Sequence, residues 1–145
     1  MSQNKSDDSP TIDTTQADKD EAKQALISVY DFMNRSDLSD SLTYNKWPSF
    51  FTDDILFIAS KGQAPNPFPF DMYRGAFKTL KASYDGITID RVDASGDLAY
   101  VLYHFHEVVK KIENGEVVKD ALISGVVTLK RDATGKWKIA VIGYS

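Results

Sequence analysis

His104 and His106 are the only imidazoles in the chain, and they stand two residues apart. The run around them, Tyr100-Val101-Leu102-Tyr103-His104-Phe105-His106, is aromatic and aliphatic and predicts a strand. Alternate residues of a strand share a face. Both histidines therefore lie with Tyr100 and Leu102, opposite Ala99, Val101, Tyr103 and Phe105. Imidazole titrates near neutrality, so the pair is a candidate general acid and base. The alternative is structural: one ring bonded to a tyrosine or backbone group, the other near a sheet edge. His-x-His is also half of a metal site, but a first-row metal needs a third and usually a fourth ligand. The carboxylate that could follow four or five residues on is replaced by Lys110 and Lys111, and Glu107 points to the other face. No metal is expected.

Other chemistry is sparse. The chain lacks cysteine, which removes disulfides, thiol nucleophiles and thiolate ligands together. It has no phosphate loop, dinucleotide fingerprint, nucleophile elbow or HExxH motif, so no cofactor is expected. Tyr30, Tyr44, Trp47, Tyr73 and Tyr144 could line a cavity and donate hydrogen bonds, or simply pack. Asp31 reads as a solvated helix residue and Asp71 as a helix cap.

These residues need elements to position them. The chain has 145 residues, 42% of them hydrophobic, which suits one domain with a sizeable core. Residues 1–18 are polar, with four Asp to one Lys, and are expected to be a disordered tail before a single domain over 19–145. The net charge of −4 lies mostly in that tail, and no basic patch calls for nucleic acid or a membrane. No apolar segment is long enough to span a bilayer and no signal peptide is visible, so a cytoplasmic protein is expected.

Ala22, Ala25, Leu26, Val29 and Met33 form a helical stripe from Asp18 or Asp20 to about Asn34. A second helix restarts at Asp37 or Ser39 and is interrupted by Trp47-Pro48. Ile55–Ala59 is a first strand, and the proline-alternating 61–70 stretch an extended loop. A third helix is expected over Phe70–Tyr84, stopped by Asp85-Gly86, and Ile87–Ala94 is a second strand. Three long strands follow, from Leu98, Ala121 and Trp137, joined by turns at Asn114-Gly115 and Thr134-Gly135. Early helices on one face of a mostly antiparallel sheet make an α+β domain.

Several stretches sharpen this. Tyr30-Asp31-Phe32-Met33-Asn34-Arg35-Ser36-Asp37, Phe51-Thr52-Asp53-Asp54, Tyr73-Arg74-Gly75, Ser95-Gly96-Asp97-Leu98-Ala99-Tyr100 and Gly135-Lys136-Trp137-Lys138-Ile139 occur in this order. The chain thereby resembles the nuclear-transport-factor-2-like superfamily, in particular its SnoaL-like, ketosteroid-isomerase-related branch, over about residues 20–145. The resemblance implies a cystatin-like α+β fold: a cone-shaped barrel of a curved, mixed, mostly antiparallel sheet wrapped around three N-terminal helices and enclosing a pocket. One departure is a longer connection around Thr43 to Pro48.

By the same resemblance the Tyr100, Leu102, His104 and His106 face is the concave one. The isomerase tyrosine, base and acid positions fall on Val29, Ala59 and Val127, all apolar, so ketosteroid isomerase chemistry is not expected. The implied pocket is lined by Val29, Tyr30, Met33, Trp47, Ala59, Tyr73, Tyr100, Leu102, Val127 and Tyr144. It suits a small apolar molecule. Two functions follow: a cofactor-free isomerase, lyase or cyclase with His104 or His106 moving the proton, or a non-catalytic binding or dimerisation module. The opposite face, including Ala99, Val101, Tyr103, Phe105, Val126 and Thr128, would be covered by a second copy, giving a homodimer.

Overall fold

The apolar stripe of the first helix and the inward residues of a curved sheet meet in one aromatic-rich core. The computed structural model describes residues 4–58 and 64–144, with side chains from Gln16 onward. Helix α1 spans Asn4–Arg35, and α2 is the short Ser41–Tyr44. Helix α1 extends back through most of the stretch expected to be a tail, because backbone helical bonding needs no apolar stripe. Its buried face begins at Ala22 and continues through Leu26, Val29, Tyr30 and Met33. Asp40 caps α2 by accepting from the Thr43 N–H at 2.9 Å. A 3₁₀ turn at Trp47–Phe50 then carries Pro48 in its first turn, where the missing N–H costs nothing.

Six strands follow, β1 (Phe51–Ile58), β2 (Asn66–Pro67), β3 (Leu80–Ser95), β4 (Leu98–Lys111), β5 (Val117–Arg131) and β6 (Trp137–Tyr144), with α3 (Phe70–Ala76) between β2 and β3. They form one open sheet in the order β2-β1-β6-β5-β4-β3. All pairs are antiparallel except β1 with β6, which is parallel. This is the expected α+β cone of a mixed sheet over three helices, left open rather than closed into a barrel. No helix among the described residues is long and apolar enough to cross a membrane.

Helix α3 is shorter than expected and β3 longer. The residues Tyr73, Phe77, Leu80 and Tyr84 fit a helical spacing, but Leu80, Ala82 and Tyr84 also alternate, and pairing with β4 makes the strand win. Gly86 does not stop a helix. It adopts φ +65° at a bulge in β3, where the register shifts between Asp85 and Thr88. The described part of the loop before α3 begins at Ala64 and contributes the two-residue strand β2.

The face of β4 is reversed relative to expectation. Ala99, Val101, Tyr103 and Phe105 are buried against α1, while Leu98, Leu102, His104 and His106 face outward. Burial decides the orientation: the wholly uncharged set turns to the core, and the set carrying two imidazoles turns to solvent.

The helix layer is fastened to β3. The Asn34 amide donates to the Tyr84 carbonyl and its oxygen accepts from the Tyr84 N–H, both at 2.8 Å. Lys81 reaches round the sheet edge to the Ser36 carbonyl at 2.9 Å and the Met33 carbonyl at 3.3 Å, satisfying groups at the end of α1.

Candidate functional site

Between α1 and the concave face lies a cavity of about 120 Å³. Val29, Tyr30 and Met33 reach it from α1, Trp47 from the 3₁₀ turn, Tyr73 from α3 and Tyr144 from β6. These six were expected in the wall, and the structure brings them together. Tyr100 and Leu102 lie on the outer face, so they do not line it. Val127 is fully buried in the core beside the cavity rather than in its wall. Ala59 lies outside the described residues.

Aromatic packing makes one wall rigid. Trp47 is buried with Phe68, Phe70 and Tyr73 at centroid distances of 5.5, 5.4 and 5.7 Å, all edge-on. Its indole N–H has no hydrogen-bond partner among the described residues. The longer connection before β1 is thus what delivers Trp47 to the wall.

The hydroxyls of Tyr30 and Tyr144, both in the wall, join that of Tyr103, which does not line the cavity, in a cluster of three phenols. The Tyr30 hydroxyl lies 2.7 Å from that of Tyr103 and 3.3 Å from that of Tyr144. Three hydroxyls own three protons, and the two contacts use two, so one proton is left to donate. Burial pushes all three phenols above their ordinary value, with neighbouring hydroxyls adding to the effect at Tyr30. They are neutral donors across the physiological range. Tyr103 fits because the residue opposite it on β5 is Gly125. A Cβ there would sit 2.6 Å from the Tyr103 ring carbon that bears the hydroxyl.

At the open side, Glu107 and Lys119 both line the cavity and pair at 2.7 Å. The Glu107 side chain is only 16% exposed, against 51% for Lys119. Burial raises the pKa of both Tyr73 and Tyr84, and the negative charge of Glu107 raises them further. Glu107 is a site residue that sequence reasoning passed over. Strand alternation puts it opposite the histidines, and that face is the concave one.

His104 and His106 lie outside the sheet. Nδ1 of His104 is 2.8 Å from Asp90, and Nε2 of His106 is 2.5 Å from Asp120, with the rings 47% and 40% exposed. Each is tied to an aspartate on a neighbouring strand. The sheet separates both rings from the cavity, so a proton moved inside it cannot pass directly to either imidazole.

No family model and no curated protein matches the sequence. Solved structures do. A ketosteroid isomerase-like protein from Erwinia carotovora atroseptica superposes with TM-score 0.67 at 22% identity, over 88% of this chain and 95% of that one. A putative dehydratase of the NTF2-like family from Streptomyces avermitilis gives TM-score 0.65 at 16% identity, over 90% and 97%. The association domain of C. elegans CaMKII gives 0.60 at 12%, over 92% and 98%.

Proposed function

We propose, from the premise that this chain has the nuclear-transport-factor-2-like fold, that it binds a small, mainly hydrocarbon molecule carrying one oxygen in the cavity between α1 and the sheet. The phenol cluster carries this function. A spare O–H at the end of an apolar cavity is a donor waiting for a carbonyl or hydroxyl oxygen, in surroundings where hydrogen bonds are strong. The volume limits the guest: an apolar cavity of about 150 Å³ accepts benzene, and this one is slightly smaller.

Binding without turnover is favoured, because both histidines lie on the far side of the sheet. A cofactor-free isomerase or lyase in this cavity would instead use Glu107, the one carboxylate in its wall among the described residues, with a tyrosine as acid. Cyclopentanone and cyclopentane, titrated by NMR, test the function. The ketone is expected to shift cavity resonances and bind more tightly than the hydrocarbon, and Tyr30→Phe to weaken it by about tenfold. Absence of any cavity shift with either compound would sink the proposal.

We further propose that the outer face pairs with a second copy. Leu98, Leu102, Leu122 and Val126 are exposed there, Leu122 to 81%, and no described residue of this chain covers them. The histidine–aspartate pairs beside them offer polar groups of one face to its mate. The likeness to a domain described as an association domain supports the same use. Light scattering at micromolar concentration should give a dimer mass; a monomer contradicts it.

A further inference from the structure

Glu107 is the fixed charge of the cavity. It is nearly buried on the concave wall, with Tyr73 and Tyr84 close enough for its charge to raise both phenols. Its only cationic partner among the described residues is Lys119, which stands half in solvent. Behind it the wall is rings: Tyr84 and Phe105 lie 5.7 Å apart, and Tyr30 lies 5.1 Å from each. Ring faces carry negative quadrupole and attract cations, most strongly where water is excluded. A carboxylate set among aromatic rings is the recognition chemistry of an organic ammonium ion. An anionic guest would meet the carboxylate as repulsion.

We propose that the cavity selects a small organic ammonium ion, of about six non-hydrogen atoms by its volume, whose charged end displaces Lys119 from Glu107. This rests on the cavity being a ligand site and gives the oxygen-bearing guest proposed above a cationic end as well. Displacement is feasible because an ion pair with one half-exposed member is worth little, whereas an ammonium brought inside gains both the carboxylate and the rings. Lys119 then acts as the resident stand-in that neutralises Glu107 when the cavity has no guest.

The test compares tert-butylammonium, tert-butanol and pivalate, close in shape and different in charge, by NMR titration of the full chain. Tert-butylammonium should bind about tenfold more tightly than tert-butanol, with pivalate the weakest. Glu107→Gln should bring the ammonium and alcohol affinities together. Lys119→Met, which removes the resident cation and leaves an uncharged side chain of similar length in the wall, should tighten ammonium binding. Alcohol binding as tight as ammonium, or weaker ammonium binding by Lys119→Met, would overturn the charge selection while leaving the cavity a ligand site. Failure of all three probes to bind would overturn both.

Discussion

The Tyr30 hydroxyl is shared between two other phenols, and its surroundings set how the protein meets alkali. Burial holds Tyr30, Tyr103 and Tyr144 protonated beyond the point where an unfolded phenol ionises, near pH 10. The unfolded chain therefore releases protons first. The stability these groups contribute is complete below that pH and is lost as pH rises toward their folded values. Phenolate absorbance from the buried tyrosines should appear together with loss of fold, not before it; early ionisation in an intact fold would contradict the burial. Gly125→Ala should destabilise by about 1–3 kcal/mol in denaturant melts, because the Tyr103 ring is sealed and has nowhere to move. An unchanged midpoint would show that the ring gives way freely. At this scale Tyr30, Tyr73 and Trp47 were legible as wall residues, since large aromatics with a polar tip collect where a core meets a cavity. The histidine face was not. Strand alternation defines two faces but not which one turns inward, and both faces of β4 are rich in apolar side chains. The charge-free set Ala99, Val101, Tyr103 and Phe105 was the available signal.

Elements here are held in place by side chains that complete another element's backbone bonding. Asn34 satisfies both the N–H and the carbonyl of Tyr84, so α1 serves as an extra partner for the outermost strand β3. Asn34→Ala leaves those two groups unmet at the helix–sheet boundary. It should cost about 2 kcal/mol and speed hydrogen exchange at Tyr84 before other β3 amides. Uniform exchange across β3 would show that the strand needs no such tie. The bulge at Gly86 bends β3 so that Tyr84 and Ile87 both turn toward the core. Any side chain there would take the left-handed conformation at a cost of about 1–2 kcal/mol, visible as a lower melting temperature for Gly86→Ala. The turns at Gly96, Gly115 and Gly135 were readable from local chemistry, and all three glycines have positive φ. The start of β3 was not, because the pairing that fixes it comes from Lys111 and Val109, far along the chain.

For the whole molecule, the two faces of one sheet divide the work. The concave face holds the cavity, and the convex face carries the exposed leucines. Leu122→Lys should therefore yield a monomer without altering cavity binding, read by light scattering and by the same titration; a dimer that survives it places the contact elsewhere. The fold order was legible because turn glycines and apolar runs mark each strand, but the position of β6 was not. That strand comes after every other one and sits at the middle of the sheet, between β1 and β5. Leu56 must wait for Val141 to find its parallel neighbour. Such distant pairing makes for slow folding. Until β6 docks, β1 and β5 both present bare hydrogen-bonding edges that a neighbouring nascent chain can take up. The interval between synthesis of β5 and insertion of β6 is when this protein is most open to aggregation, and when a chaperone would matter most.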